Sequence, residues 1–230
     1  MSLTLHLHRH HTPVDWATAA AAAIAASLQG PGRQHLLLSG GSTPAPVYRQ
    51  LAAADLPWDR LTLGLADERW LPQDGQHRND TLVAEHLLNH QPRARLHPLL
   101  HAGQTLQQCV DSANAHWQSQ TGAHVAVLGM GNDGHTASLF PGAGNLAQAL
   151  SSTLPYAALD ATGCQAAQHF PLRISLTPAG LGHCRQRFLL LRGQDKLDTF
   201  NTARDNGDAS RFPVLHAIQP GSCLHVFWCA

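Results

Sequence analysis

The stretch 125–141, VAVLGMGNDGHTASLFP, constrains this chain more than any other, because an apolar run feeds a glycine-rich loop carrying an acid and a histidine. Val125, Ala126, Val127 and Leu128 are apolar at consecutive positions, the pattern of a parallel strand buried on both faces. Gly129 and Gly131 then let the backbone turn where side chains would collide. In open α/β sheets ligands sit beyond such strand ends, which makes Asp133 and His135 candidate site residues. Gly129, Gly131 and Gly134 also spell G-x-G-x-x-G, with Asp160 further on. A dinucleotide site is nevertheless a poor fit. Pro141 follows the third glycine by only seven residues, and Gly142 and Gly144 come next, so no crossover helix fits. Asp160 lies 26 residues past Gly134, where the ribose acid is expected at about 20, and Asp133 puts a carboxylate where pyrophosphate should approach.

Strands and helices alternate along the rest of the chain. LTLHLHRH predicts a first strand with Leu3, Leu5 and Leu7 on one face and His6, His8 and His10 solvated on the other. His11 extends this histidine cluster, but no H-E-x-x-H or carboxylate-bracketed triad makes it a metal site. An alanine-rich helix follows over 13–29, closed by Gly30-Pro31-Gly32. A buried strand over 35–39 then runs into Gly40-Gly41-Ser42-Thr43-Pro44 and a helix over 44–54. Ser42 or Thr43 suits the cap of that helix and Pro44 its first turn, leaving free N–H groups at the positive end of the dipole. This junction is either a phosphate site or only a turn and cap; without G-x-x-x-x-G-K-[ST] it is not a Walker loop.

A third strand over 61–66 delivers Asp67, Glu68 and Arg69, followed by Trp70 and Pro72, to the edge that also carries Ser39 and Gly129. Asn79 is expected to cap a helix to residue 90 that buries Leu82, Val83, Leu87 and Leu88, and Thr105 to open one over 105–121 with Leu106, Val110 and Trp117 on one stripe. Residues 143–153 read as loop and short helix over the site. RISLT (173–177) predicts a β segment, 178–182 a helical turn, and FLLLR (188–192) a strand ended by Gly193. Lys196 then stands near the start of a helix to 204, where a cation opposes the dipole unless an anion sits there; a solvated lysine is the equal alternative. A last strand over 222–229 follows Pro213 and Pro220. The alternation predicts one α/β domain over 1–230, a mainly parallel, Rossmann-like sheet with helices on both faces.

Lys plus Arg equals Asp plus Glu at 15 each, so no net field draws the chain to nucleic acid or to an anionic membrane, and any anion must be captured locally. Five widely spaced cysteines without a C-x-x-C pair point to reduced thiols in a cytoplasmic protein. No stretch has the apolar length of a membrane span or the make-up of a signal peptide.

Taken together, LSGGSTP, ADERW with Asn79 downstream, GMGNDGHTASLFPG, RISLT and GQDK resemble the 6-phosphogluconolactonase family, within the fold group that includes glucosamine-6-phosphate deaminases. The resemblance spans about residues 14 to 228. It implies a three-layer α/β/α fold of the NagB/RpiA-like type and hydrolysis of 6-phospho-D-glucono-1,5-lactone without metal or organic cofactor. The partner it implies is a small sugar-phosphate lactone, with no nucleic acid or membrane and with a monomer favoured. It assigns the proton transfers to His135, with Asp133 orienting the imidazole or binding a sugar hydroxyl. Arg69 becomes the cation for the oxyanion or the phosphate, and Gly40, Gly41, Ser42, Thr43, Asp67, Asn79, Arg173 and Lys196 bind substrate. An imidazole with a reference pKa of about 6.5 suits both proton transfers.

Two alternatives bear on this. The deaminase pattern has D-E-Y where this chain has Asp67-Glu68-Arg69, and its late glutamate falls at Phe140, which transfers no proton. A sugar-phosphate-binding regulator could keep the phosphate loop and dispense with His135; retention of both favours an enzyme.

Overall fold

Strands that are apolar on every residue can bury both faces only at the centre of a layered structure, and the chain forms such a centre. The computed structural model describes residues 4–71, 75–120, 123–167, 169–219 and 221–230; Leu3, Pro72, Thr121 and Pro220 lie outside them. The chain runs through β1 (Thr4–His10), α1 (Pro13–Ser27), β2 (Gln34–Leu38), α2 (Ala45–Ala52), β3 (Leu61–Leu65), β4 (Asp67–Arg69) and α3 (Asn79–His86). It continues through β5 (Arg95–Leu96), α4 (Leu106–Gln118), β6 (Ala123–Leu128), α5 (Leu146–Leu150), β7 (Tyr156–Asp160) and β8 (Leu172–Leu176). It closes with α6 (Pro178–Gly182), β9 (Cys184–Arg192), α7 (Gln194–Asn206) and β10 (Cys223–Cys229).

Seven strands form one sheet in the order β1-β10-β9-β6-β2-β3-β5, every neighbouring pair parallel. From β2 the chain steps outward to β3 and β5, then returns to lay β6 on the other side of β2 and proceeds to β9 and β10. The order therefore reverses between β2 and β6, and at such a reversal the two following loops diverge and leave a crevice. Leu36, Leu38, Leu63, Leu65, Val125 and Val127 fill the middle of the sheet, fully or almost fully buried; each such side chain contributes about 2 kcal/mol of transfer free energy. Helix α1 packs on β1, β9 and β10, with Trp16 Nε1 donating to Phe227 O at 3.0 Å. Helix α4 sets Trp117 flat on His124 of β6, the ring centroids 4.2 Å apart. Among the described residues no helix is long and apolar enough to cross a membrane.

Several local expectations are corrected. Neither Ser42 nor Thr43 caps α2: Pro44 occupies the cap position in the right-handed helical region, with no side-chain hydrogen bond. Asn79 is the first residue of α3, not its cap, and the helix ends at His86. Arg173 and the D-E-R residues leave the parallel sheet altogether. They sit in β8 and β4, which with β7 make a separate antiparallel sheet in the order β4-β8-β7. In β1 only His6 is exposed among the three alternating histidines; His8 is half-buried, its ring 4.3 Å from that of Phe227.

The opposite, N-terminal end of the sheet carries a histidine cluster. His35 and His124 lie in the central strands with ring centroids 4.8 Å apart, and His97 stacks on His116 at 3.5 Å. Burial first, then the neighbouring His35 and His183, hold His124 down to about 4; burial, His116 and His101 do the same for His97. Folded-state values below the unfolded one mean that the stability of the neutral cluster is present above about pH 6.5 and is lost as pH falls toward 4. Melting followed by circular dichroism should therefore fall by about 5–10 °C between pH 7 and pH 4.5, and less steeply in His124→Phe, which keeps a ring on Trp117 but cannot be protonated.

Candidate active site

The loops after β2 and β6 emerge side by side at the reversal point and wall a cleft of about 250 Å³. Gly40, Gly41 and Thr43 form one wall, Gly131 and His135 another, and Asp67, Arg69, Asn79, Arg173 and Lys196 close the remaining sides. Asp133 stands behind His135. Ser42 is exposed and opens on an adjoining groove with Arg49, His77 and Arg78 instead of on the main cleft. Residues 143–153, expected to lie over the site, do not line it; Leu146 and Ala149 of α5 pack into a separate apolar cluster with Leu159.

The 129–135 loop is built to hold one histidine. Gly131 N–H donates to His135 O at 2.9 Å, Gly134 turns with φ 82°, and Thr136 Oγ1 ties the return to Gly129 O at 2.8 Å. No crossover helix follows Gly134, and Asp160 ends β7 in the other sheet; the glycine pattern serves this turn and not a dinucleotide. The Asp133 carboxylate accepts from His135 N at 3.1 Å and meets Nδ1 at 2.6 Å. A carboxylate can only accept, so Nδ1 carries a proton, and in the neutral imidazole the lone pair is therefore on Nε2. Burial alone would raise the Asp133 carboxyl, but the hydrogen bond and the charge of His135 bring it below the usual carboxylate range. Ala137, two residues on, is the one non-glycine residue with positive φ (48°) among those described, a local strain at the site.

Cations converge on the cleft from four elements, β4, β8, β9 and α7. In the antiparallel pair of β4 and β8, Arg69 is the register partner of Arg173. Arg173 is buried; its Nε donates to Phe170 O at 2.6 Å and its guanidinium lies 5.3 Å from the centre of the Phe140 ring. Burial, with Arg69 adding to it, lowers the Arg173 pKa against the pull of Asp67. Arg69 Nη1 donates to His77 O at 2.6 Å. Lys196, in the first turn of α7, donates to Met130 O at 2.5 Å, its pKa lowered by burial and partly restored by Asp133.

Asp67 is a strut. Its carboxylate accepts from Ser138 Oγ at 2.5 Å and from Asn79 Nδ2 at 3.2 Å, and its carbonyl from the same Nδ2 at 2.8 Å. Among the described residues, three buried polar atoms at the cleft have no protein partner: Ser39 Oγ, Asn79 Oδ1 and Arg69 Nε. Buried groups of this kind are normally satisfied, so they are natural contacts for a polar ligand. Sequence reading overlooked Arg192, which reaches the cleft from the C-terminal end of β9; that position was its signal, since β9 lies beside β6. It also overlooked Ser138 and gave no task to Glu68.

Comparison with known proteins bears on the whole chain. The sequence model of the family described as "Glucosamine-6-phosphate isomerases/6-phosphogluconolactonase" matches residues 11–228. A 6-phosphogluconolactonase of Xylella fastidiosa (strain Temecula1) is 50% identical over 200 residues, covering 86% of this chain and 84% of its own. One from Rhizobium meliloti is 32% identical over 234 residues, 99% of each chain. The crystal structure of a 6-phosphogluconolactonase from Shewanella baltica superposes with a TM-score of 0.89 at 32% identity, covering 98% of each chain.

The close approach of Gly40 to Asn79 gives a test of this site. A Cβ on Gly40 would lie 1.8 Å from Asn79 Oδ1, and Asn79 is held by its bonds to Asp67. Gly40→Ala should cost about 1–3 kcal/mol in urea denaturation. Combined with Asn79→Ala it should cost clearly less than the sum of the two.

Proposed function

The chain belongs to the glucosamine-6-phosphate isomerase/6-phosphogluconolactonase family, and from that premise we propose that it hydrolyses 6-phospho-D-glucono-1,5-lactone to 6-phospho-D-gluconate in the oxidative pentose phosphate pathway. The observation that carries the mechanism is the Asp133–His135 pair, at 2.6 Å, facing a cleft rich in cations. With Nδ1 committed to Asp133, Nε2 takes a proton from water as the oxygen attacks the lactone carbonyl. Asp133 stabilises the imidazolium that results. The tetrahedral oxyanion needs a positive partner placed in advance, and Arg69, whose Nε has no protein partner among the described residues, supplies it. On collapse, the C–O bond to the ring oxygen breaks and His135 returns its proton to that oxygen, regenerating the neutral base.

The 6-phosphate is held by the Gly40–Gly41–Thr43 backbone at the uncapped start of α2 and by Arg173 and Lys196, while Ser42 stays outside on the adjoining groove. An arginine fork and a lysine point charge suit a phosphate dianion. Asp67 and Asn79 orient the sugar hydroxyls. The five free cysteines accord with a reducing cytoplasm. Phe140 at the position of the deaminase glutamate disfavours the isomerase branch.

The test is 6-phosphogluconate release from freshly made lactone, corrected for spontaneous hydrolysis. The native protein should turn over well above background, with His135→Ala lowering kcat at least 10³-fold and Asp133→Asn about 10- to 100-fold. Lys196→Met should mainly raise KM. Ammonia released from glucosamine 6-phosphate would point to the deaminase instead.

A further inference from the structure

Glu68 lies between two residues of the cleft, yet its side chain points away from it. Successive side chains of a strand alternate, so in β4 Asp67 and Arg69 share the cleft face and Glu68 is turned to the other side, completely buried. There its carboxylate meets the start of α3. Oε1 accepts from Arg69 N at 2.8 Å and Asn79 N at 2.7 Å, and Oε2 from Asp80 N at 2.9 Å. The first helical N–H groups, which the cap residue Arg78 leaves without a side-chain acceptor, are thus satisfied from a strand eleven residues earlier. Both cleft residues are fixed by this arrangement. Asn79 is pinned through its backbone, and Arg69 is pinned twice: at its own N–H, and at its guanidinium through His77 O, two residues before Asn79.

Resting on the lactonase reading of the cleft, we propose that Glu68 is a positioning residue, clamping Arg69 and Asn79 from behind, and that full activity requires its ionised form. The geometry dictates the second part. Three N–H donors converge on two oxygens, and a protonated carboxyl would have to turn its O–H toward one of them. The charged and titratable groups around it are Asp67 and Arg69 on its own strand, Asp80 on α3, itself paired with Arg78, and Arg173 across on β8. Burial, opposed by the amide hydrogen bonds and reinforced by Asp80, pushes the Glu68 carboxyl up to about 7. The clamp therefore loosens as pH falls through neutrality. The fold responds with the opposite sign: a raised folded-state value makes Glu68's contribution to stability greatest below its unfolded value and lost as pH rises through about 7.

The experiment compares native protein with Glu68→Gln, which keeps the shape but replaces one acceptor with a donor. We expect kcat/KM to fall at least tenfold at pH 8, with circular dichroism verifying that the variant is folded there, because small misplacement of catalytic groups is costly. The acid limb of kcat/KM should show two ionisations in the native enzyme and one in the variant. In native protein alone, the amide proton shifts of Arg69, Asn79 and Asp80 should move together between pH 6 and 8. A variant within twofold of native kcat/KM that keeps both ionisations and loses only melting temperature overturns the proposal, as do three amides that stay still. The amide titration needs no turnover, so a native protein without lactonase activity refutes the reading of the cleft while the shifts still decide the clamp.

Discussion

Everything at the functional end depends on β2 and β6 pairing in parallel at the middle of the sheet, Leu36 opposite Val125 and Leu37 opposite Ala126. That register brings two glycine loops, some ninety residues apart in sequence, to the same edge at the same height. A glycine loop after a lone strand offers free N–H groups and nothing to react with. An acid–histidine loop by itself has no grip on an anion. Only their adjacency joins binding to chemistry, and the apolar side chains that enforce it sit well below the cleft, where substitutions at the site do not disturb them.

The parts of this design legible in the sequence are those whose physics is local. Consecutive apolar residues at 125–128 and 36–38 announce buried parallel strands, and glycines directly after them announce loops that approach a ligand. Alanine-rich α1 and the Thr105 cap of α4, with its reciprocal Gln108 bond, are equally local. The antiparallel sheet of β4, β8 and β7 was not legible. It is assembled from a three-residue strand whose partner, β8, comes more than a hundred residues later, and no periodicity marks a pairing at that distance. The start of α3 was misread for the same reason: Asn79 resembles a cap, but the acceptor comes from Glu68 in another element. At α2 the Ser-Thr pair was a sound capping signal that lost to Pro44, which itself takes the cap position.

Charge shows the same contrast between count and placement. The chain is neutral overall, yet Arg69, Arg173, Arg192 and Lys196 gather in one cleft against Asp67 and Asp133, with Asp67 already occupied by Ser138 and Asn79. Burial strengthens the charges of Arg173 and Asp67 by removing water from around them. A composition summary hides this, because it averages over a surface what folding concentrates in one place.

Arg69 and Arg173 stand opposite each other across β4 and β8. Like charges set directly across a strand pair repel, and here a hydrogen-bonded register prevents them from separating. A dianion placed near both would turn that repulsion into shared attraction, so ligand binding and the cohesion of the small sheet are thermodynamically linked. On the proposed reading of the cleft, the substrate would act as a structural counterion, and the protein's resistance to unfolding would rise and fall with the supply of that metabolite.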